Sequence, residues 1–379
     1  MLTQTKNFQV KAVSSDKDRE IFLDVPHIVY KNDANWVPPF RSSIAKQLAP
    51  ENAFRQHGEL QQFIALSETG KPLGRIVAAI NHRLIESEGK NIGIFGYFEC
   101  IEDFEVAQAL LEAACQWLCE HNMESVRGPI DLSTHNRCLF QVDRFDLPPM
   151  IMTPYNPSYY PEFIEKAGWE KGNDAYIYNF PLDKPLDPKF EKAYRIACKS
   201  GITFRALRTK GEEFEQDCQN MYNLMSEAFA KNYSYIYRTQ EEFMAQAREL
   251  QQMADPDVFP IAEHNGEMIG FWMGLPDYNI VLKHLNGKFD WWGMIKFLWY
   301  RRQIDQGVVP VIVSLPEYRR KMVPLALIYL GMQGGIKKGK PYKRAELGWV
   351  WETNSPSRKL IEASGGKIYK TYRMYEKAL

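Results

Sequence analysis

The 379-residue sequence lacks a long apolar run, an excess of charge of either sign and any clustering of cysteine. Its longest apolar stretch, near "MVPLALIYLGM", is interrupted by proline and is too short to span a bilayer. Lys+Arg and Asp+Glu both count 47, so the formal net charge is zero. Without a basic excess, general binding to nucleic acid or to anionic membranes is not expected, although a local basic patch remains compatible with this balance.

The six cysteines form no recognisable metal or disulfide pattern. Cys115 and Cys119 are four residues apart in a helical stretch, but no histidine or second cysteine pair completes a zinc site. The first twenty residues are polar and lack the apolar core of a secretory signal. These absences predict a cytoplasmic protein with reduced thiols, no metal and no membrane partner.

The sequence does contain an internal repeat. "FIALSETGKPLGRIVAA" and "FPIAEHNGEMIGFWMG" both read as strand, tight turn and strand. Gly70 and Gly266 are 266 − 70 = 196 positions apart, and so are Gly74 and Gly270. Later, "FIEKAGWEK" and "LIEASGGKI" repeat a short helix that ends in glycine. A constant offset over so long a stretch predicts two copies of one domain.

The predicted copies span 1–180 and 190–379, joined at the proline- and aspartate-rich segment 179–190. In the second copy the predicted element order is α-α-β-β-β-α-β-α-β. Its central strand, "VVPVIVSL", leads through the basic turn "PEYRRKM" into an apolar helix. The first copy matches it with the strand "GIFGYFECI" and the helix "VAQALLEAACQWLCEH".

This order, together with the closing segment "ETNSPSRKLIEASGG", resembles the GNAT superfamily of N-acyltransferases. The match is best over about 190–379 and weaker over about 30–180. Phrases such as "NWVPPF", "GPIDLSTHN" and "YNPSYYPEFIEKAGW" are also similar to those of a group of bacterial tandem-GNAT proteins. The resemblance implies an α/β fold with two GNAT-like copies, each a mixed, mostly antiparallel central sheet flanked by helices.

The resemblance also implies a coenzyme A site at the basic turn. In GNAT enzymes this turn has the pattern Arg/Gln-x-x-Gly-x-Gly/Ala, and its backbone N–H groups hold the pyrophosphate at a helix N-terminus. Arg319 matches the first position, but Met322 and Pro324 occupy the two small-residue positions. Direct contacts from the basic side chains offer a replacement, so a phosphate site and a purely structural turn both remain open. The implied binding residues are Val313, Ser314, Leu315, Arg319, Arg320, Lys321, Met322 and Val323.

The equivalent turn of the first copy, "ECIEDFEVAQ", is acidic, with Glu99, Glu102, Asp103 and Glu105. Carboxylates early in a helix favour the helix but repel a pyrophosphate. The first copy is therefore predicted to bind no coenzyme A, and to act as a structural partner or to build part of the acceptor site.

Candidate catalytic groups follow in the last strands. Strand alternation in "AELGWVWE" predicts that Glu346 and Glu352 share one face, opposite Leu347, Trp349 and Trp351. Glu352 is predicted as the base, with an ion pair or cap as its structural alternative. The resemblance implies that Asn354 orients the cofactor, and helix capping alone explains it equally.

The tyrosine that serves as acid in many GNAT enzymes has no counterpart here, because Ile361 occupies its position. Tyr375 on the last strand is the predicted substitute, with packing as its alternative. His135 is a lone histidine in a polar loop and is weak evidence for a base. The aromatic segment 289–302 is predicted to pack against the other copy, or else to form a pocket wall or lid.

The predicted activity is transfer of an acyl group from acetyl-coenzyme A or another acyl-coenzyme A to an amine of a small molecule or peptide. Two alternatives remain. One is a catalytically silent module that binds a metabolite or a protein. The other is an aminoacyl transferase that uses charged tRNA, which the neutral net charge disfavours.

Overall fold

The computed structural model describes residues 7–230, 232–287, 290–339 and 341–379. The first copy contains β1 (Phe8–Ala12), α1 (Asp16–Val29), α2 (Arg41–Leu48), β2 (Gly58–Ser67), β3 (Pro72–Asn81), α3 (His82–Glu88), β4 (Ile92–Cys100), α4 (Phe104–Glu120), β5 (Ser125–Gly128), β6 (Phe140–Gln141), α5 (Tyr159–Lys166) and β7 (Glu170–Pro181). The second copy contains α6 (Pro188–Lys199), β8 (Ile202–Ala206), α7 (Gly211–Phe229), α8 (Gln240–Leu250), β9 (Pro260–His264), β10 (Glu267–Pro276), α9 (Asn279–Leu285), α10 (Trp291–Tyr300), β11 (Gln306–Ser314), α11 (Val323–Ile336), β12 (Arg344–Trp351), α12 (Ser355–Ala363) and β13 (Lys367–Ala378).

These strands form one continuous sheet in the order β1-β2-β3-β4-β5-β13-β7-β12-β11-β10-β9-β8, with β6 beside β13. Neighbouring strands are antiparallel except for β4–β5 and β11–β12, which are parallel. The predicted mixed, mostly antiparallel sheet is confirmed. The predicted order of the second copy omitted α6, β8, α9 and α10, because a five-residue edge strand and short helices give weak periodicity.

The last strand of each copy lies in the sheet of the other copy. β7, which ends the first copy, pairs with β12 over 175–181. β13, which ends the second copy, pairs with β5 over 375–378. The two exchanged strands also pair with each other. The predicted boundary at 180–190 therefore divides the chain at a connector, but it does not divide the sheet, and neither half has a complete sheet alone.

Both predicted hairpins are present. β2 pairs with β3, and β9 pairs with β10. The second hairpin turns at Asn265 and Gly266, whose φ angles of 54° and 83° are both left-handed. Asparagine and glycine tolerate this conformation, and the resulting turn matches the right-handed twist of the strands.

Alternation along each strand fills a core on both faces of the sheet. In β3, Ile76 and Ala78 pack with α4, whereas Val77 and Ala79 pack with α1. The second copy repeats this arrangement, with α11 and α6 on one face and α7 on the other. Covering both faces explains why these strands read as nearly continuous apolar runs.

The predicted alternation in β12 is wrong beyond Leu347. The pairing with β7 shifts register between Leu347 and Val350, so one extra residue is accommodated and the faces exchange. Leu347 packs in the core under α11, whereas Trp349 and Trp351 pack in the core under α1. Glu346 and Glu352 consequently do not share a face.

Candidate active site

A cleft opens where the two parallel strands of the second copy separate. β11 pairs with β12 only from Gln306 opposite Arg344 to Val309 opposite Leu347. Beyond that point the strands diverge and enclose a cavity of about 590 Å³. Its lining includes Ile312, Ser314, Arg319, Met322, Asn354 and Ser357.

The backbone of β11 presents hydrogen-bond donors to this cleft. The N–H of Leu315 donates to the carbonyl of Ile269 on β10 at 2.9 Å. Because N–H groups alternate sides along a strand, that of Val313 also faces β10, and those of Ile312 and Ser314 face the cleft. Of the predicted donors around Val313–Leu315, the Ser314 N–H faces the cleft, and the Ile312 N–H does so in place of those of Val313 and Leu315. Their role in the reaction stays a prediction.

The N-terminus of α11 closes one end of the cleft. Among the residues that the structure describes, no side chain caps this helix. The N–H groups of Val323 and Leu325 lie in its first turn and have no carbonyl one turn earlier within the helix, while Pro324 has no N–H. Val323 is fully buried, whereas Pro324 and Leu325 line the cleft, so the Leu325 N–H is the one placed near a ligand. The polarity of this helix end favours an anion.

The basic side chains of the turn are not equivalent. Arg319 is exposed and lines the cleft. Arg320 is exposed outside the lining, and the Lys321 ammonium lies over the Tyr318 ring at 4.9 Å from its centroid. Of the three predicted basic contacts, the geometry brings Arg319 to the cleft.

Met322 occupies a backbone position that suits glycine. It caps α11 with φ 63° and ψ 17°, in the left-handed region. A residue with a Cβ pays about 1–2 kcal/mol in this conformation. The turn therefore keeps the backbone shape of a glycine turn although the sequence has lost the glycine.

The opposite wall of the cleft is α12. Asn354 lines the cleft and also caps this helix, because its Oδ1 accepts from the Ser357 N–H at 3.3 Å. Both interpretations of Asn354 are therefore compatible with its position. Ile361 contributes to the wall from a buried position.

Glu352 is held outside the cleft. Its carboxylate pairs with Lys171 at 2.9 Å and accepts from the Asp174 N–H at 3.1 Å. Within the described part of the chain, the lining includes Trp351 and Thr353 but not Glu352. Its role as the base stays a prediction, which these contacts with β7 disfavour.

Tyr375 lies in the core of the first copy. It is fully buried, and its hydroxyl donates to the Glu165 carboxylate at 2.9 Å. Burial is the main cause of a pKa for this hydroxyl well above its usual range. Because β13 is exchanged, Tyr375 stands beside β5 and is not part of the cleft lining among the described residues. Its position supports packing.

An apolar pocket of about 160 Å³ adjoins the cleft along α7. Met221 and Met225 of α7 line the pocket, and Ala228 and Phe229, one turn later, line the cleft. The other walls come from α8, β10 and β11 and include Phe243, Phe271 and Val311. The pocket suits an alkyl or aromatic group rather than a charged one.

His135 of the first copy reaches the rim of this pocket. Its Nε2 lies 2.7 Å from the Ile236 carbonyl oxygen, to which it donates. Burial lowers the pKa of His135 to about 4, so the ring is neutral at pH 7. No sequence pattern indicates this proximity, because His135 and Ile236 lie in different copies.

The equivalent gap in the first copy is filled by its own chain. The Ile130 N–H donates to the Phe95 carbonyl at 2.7 Å, and the Asp131 carboxylate accepts from the Tyr97 N–H. This segment runs along β4 and closes the space that, in the second copy, is the open cleft between β11 and β12. That the first copy binds no coenzyme A stays a prediction, and the filled gap is compatible with it.

Glu99 does not face the acidic turn, contrary to the sequence-based expectation. It is buried at 1% exposure, where it accepts from Arg137 at 2.9 Å and from the Tyr160 hydroxyl at 2.9 Å. With Arg75 and Tyr97 it lines a cavity of about 290 Å³. The first copy thus has a charged cavity on the face where the second copy has an apolar pocket.

The described residues show neither a metal site nor a membrane-spanning helix. In 7–230, 232–287, 290–339 and 341–379, no three His, Cys, Asp or Glu side chains are placed to hold a metal ion. Over the same ranges, no helix has both the length and the apolar character needed to cross a membrane.

Comparison with solved structures identifies the fold. A tandem GNAT protein from the clavulanic acid biosynthesis pathway matches with a TM-score of 0.56, covering 98% of each chain at 12% identity. A GCN5-related N-acetyltransferase from Sphaerobacter thermophilus matches with a TM-score of 0.53, covering 99% of this chain and 97% of its own at 13% identity. The chain has a tandem GNAT fold.

Two curated proteins are similar to this tandem GNAT chain over nearly its whole length. Protein YghO of Escherichia coli is 27% identical over 375 residues, covering 98% of this chain and 95% of its own. A bacterial ceramide synthase from Caulobacter vibrioides is 28% identical over 383 residues, covering 98% of each chain. No family model matches the sequence.

Proposed function

We propose that this protein is an N-acyltransferase that moves an acyl group from acyl-coenzyme A to the amine of a long-chain amino alcohol. The observation that carries the proposal is the cleft between the diverging strands β11 and β12. It combines backbone donors from Ile312 and Ser314, a helix N-terminus and Arg319, and it adjoins an apolar pocket along α7.

The resemblance to the Caulobacter ceramide synthase supports this choice of acceptor. A ceramide is the amide of a fatty acid and a long-chain amino alcohol, so its synthesis joins two partly apolar chains at one nitrogen. The apolar walls formed by Met221, Met225 and Phe243 suit one of these chains. The acceptor thus becomes more specific than the small-molecule or peptide amine expected from the sequence.

The residues of the cleft fit acyl-coenzyme A as a co-substrate, with one departure. Arg319 and the N–H group of Leu325 would hold the pyrophosphate. Met322 keeps the required backbone shape but brings a side chain to the path of the phosphates. We expect binding to survive with reduced affinity.

The reaction needs no further reagent. The amine nitrogen attacks the thioester carbonyl carbon, the C–N bond forms and the C–S bond breaks. The nitrogen loses one proton and the sulfur of coenzyme A takes up one, so the protons balance. The N–H groups of Ile312 and Ser314 are placed to stabilise negative charge on the carbonyl oxygen. We assign the reaction to the cytoplasm, where exposed thiols such as Cys119 and Cys198 stay reduced.

Met322 and Pro324 favour one alternative function. They stand where close approach of a phosphate to the backbone needs small residues, as in a GNAT domain that has kept the fold and lost the cofactor. In that case the protein binds a metabolite or a partner without acyl transfer.

The test is incubation of the purified protein with palmitoyl-coenzyme A and sphinganine, with free thiol and amide product both measured. We expect one free thiol to be released for each amide formed, and we expect slower turnover with acetyl-coenzyme A or with a short-chain amine. Met221→Gln should lower long-chain turnover because it places an amide in the apolar pocket, while calorimetric binding of coenzyme A is retained. Absence of binding at millimolar coenzyme A would favour the silent module.

A further inference from the structure

The helix α10 exposes an unusually apolar surface. Trp291, Trp292 and Trp299 are 72%, 68% and 66% exposed. Together the three indoles expose on the order of 400 Å². Patches of this size on soluble proteins mark interaction sites. The expectations that this segment packs against the other copy or walls a pocket do not account for the exposure of these side chains.

The helix has an attached side and an apolar free side. The attached side carries Gly293, Phe297 and Tyr300 at helical spacing. The Phe297 ring stacks on Tyr278 with 5.7 Å between ring centroids, and the Tyr300 ring stacks on His284 with 3.7 Å between centroids. The exposed apolar side chains, which we name the tryptophan face, are Trp291, Trp292, Met294, Ile295, Leu298 and Trp299. Apart from the exposed Lys296, the helix is apolar on both its protein side and its free side, and such helices are normally covered by protein or lipid.

The charge around the tryptophan face is positive. Between positions 283 and 303 the sequence has five Lys or Arg residues and one acidic residue, Asp290. Asp290 caps α10 by accepting from the Gly293 N–H at 2.8 Å, so it lies at the end of the helix. Lys283, Arg301 and Arg302 are exposed. A local basic patch therefore exists although the chain as a whole is neutral.

We propose that the tryptophan face docks on the surface of an anionic lipid bilayer. Ten residues of helix span about 15 Å, half of a hydrocarbon core, so α10 lies along the interface rather than across it. Indole rings prefer the headgroup level, and basic side chains beside them attract anionic lipids. Docking requires no acyl transfer, and therefore stands or falls separately from the proposed function.

A second copy of the chain fits this surface less well. A stable protein interface buries about 800 Å² on each partner, roughly twice what the three indoles expose. This difference in area, together with the positive charge around the tryptophan face, favours lipid as the partner.

The test is co-sedimentation of the full-length protein with phosphatidylcholine vesicles, with or without phosphatidylglycerol. We expect binding roughly 10- to 100-fold stronger to the anionic vesicles. The double substitution Trp292→Glu/Trp299→Glu should abolish it. Arg301→Glu/Arg302→Glu should remove the preference for phosphatidylglycerol. Ile196→Glu, at an exposed apolar residue on α6, is the matched control and should bind like the wild type.

Two results would overturn the proposal. One is absence of vesicle binding, or binding that the tryptophan variant retains. The other is a concentration-dependent dimer, seen by light scattering, that the tryptophan variant dissociates, since the face would then serve a second copy. Unchanged circular dichroism shows that each variant is folded, and its rate of thiol release tests the proposed function independently.

Discussion

The N–H of Leu315 lies 2.9 Å from the carbonyl oxygen of Ile269 and is used within the sheet. This one hydrogen bond fixes which side of β11 faces the cleft, and it assigns the free donors to Ile312 and Ser314. The site therefore depends on the direction of the backbone N–H groups at the point where β11 and β12 diverge. The predictions below concern side chains that modify this backbone site or that stabilise the fold around it.

Arg319→Ala should weaken coenzyme A binding about tenfold or more, because a hydrogen bond to a charged group contributes about 1.5–3 kcal/mol. Arg320→Ala is the matched control, since Arg320 is exposed outside the cleft lining and should bind nearly normally. Calorimetric titration measures both. Equal losses in the two variants would mean that the turn acts only as a diffuse positive field.

Met322→Gly should tighten coenzyme A binding, because it removes a side chain from the phosphate path and keeps the left-handed cap. The free energy of unfolding should change by less than about 1 kcal/mol, since the relief of about 1–2 kcal/mol is offset by the flexibility of glycine. Met322→Ala, which shortens the side chain but keeps the Cβ, is the control for backbone strain. If neither variant gained affinity, Met322 would not obstruct the cofactor.

Glu352→Gln should leave turnover nearly unchanged, because the carboxylate is engaged by Lys171 and by the Asp174 N–H. Loss of a general base lowers rates by about 100- to 10,000-fold, so the measurement of thiol release is decisive. A fall of that size with unchanged coenzyme A affinity would restore Glu352 as the base predicted from the sequence.

Lys370→Met should destabilise the fold by up to about 3–5 kcal/mol, because the buried Glu346 carboxylate loses its buried ammonium partner and keeps the Arg344 guanidinium at 3.5 Å. Both side chains are fully buried, 3.4 Å apart, and the ammonium also donates to the Pro148 carbonyl of the first copy. Denaturant unfolding gives the free energy of unfolding of Lys370→Met and of Glu346→Gln/Lys370→Met, and the comparison tests the contribution of the ion pair. The double variant should be the more stable of the two, and a larger loss in it would contradict this account.

His135 should make the protein less stable as the pH falls from about 6.5 to 4. Burial lowers its pKa to about 4 in the fold, so over this range the unfolded chain binds the proton more readily. The free energy of unfolding should therefore decrease as the pH is lowered, and this group should contribute about 3 kcal/mol at most to the decrease. His135→Gln should flatten that part of the profile, and urea titrations at several pH values compare the two proteins. Identical slopes would show that His135 protonates freely.

The sequence by itself determined the local features of this protein. Glycines at a constant offset indicated both hairpins, and an apolar β-branched run indicated the central strand of the second copy, because turn chemistry and strand propensity act over a few residues. The sequence also placed the basic turn correctly before α11, and it showed Met322 and Pro324 at the two positions where GNAT enzymes have small residues.

Only the tertiary structure decided which strands are neighbours and where the side chains point. The exchange of β7 and β13 moved Tyr375 into the core of the first copy, and an extra residue in β12 turned Glu352 away from the Glu346 face. A strand has the same sequence pattern whichever strand it pairs with, because pairing is chosen by contacts between residues far apart in the chain. The tryptophan face shows the same limit: composition singled out an aromatic segment, and only the fold showed that three of its indoles remain exposed.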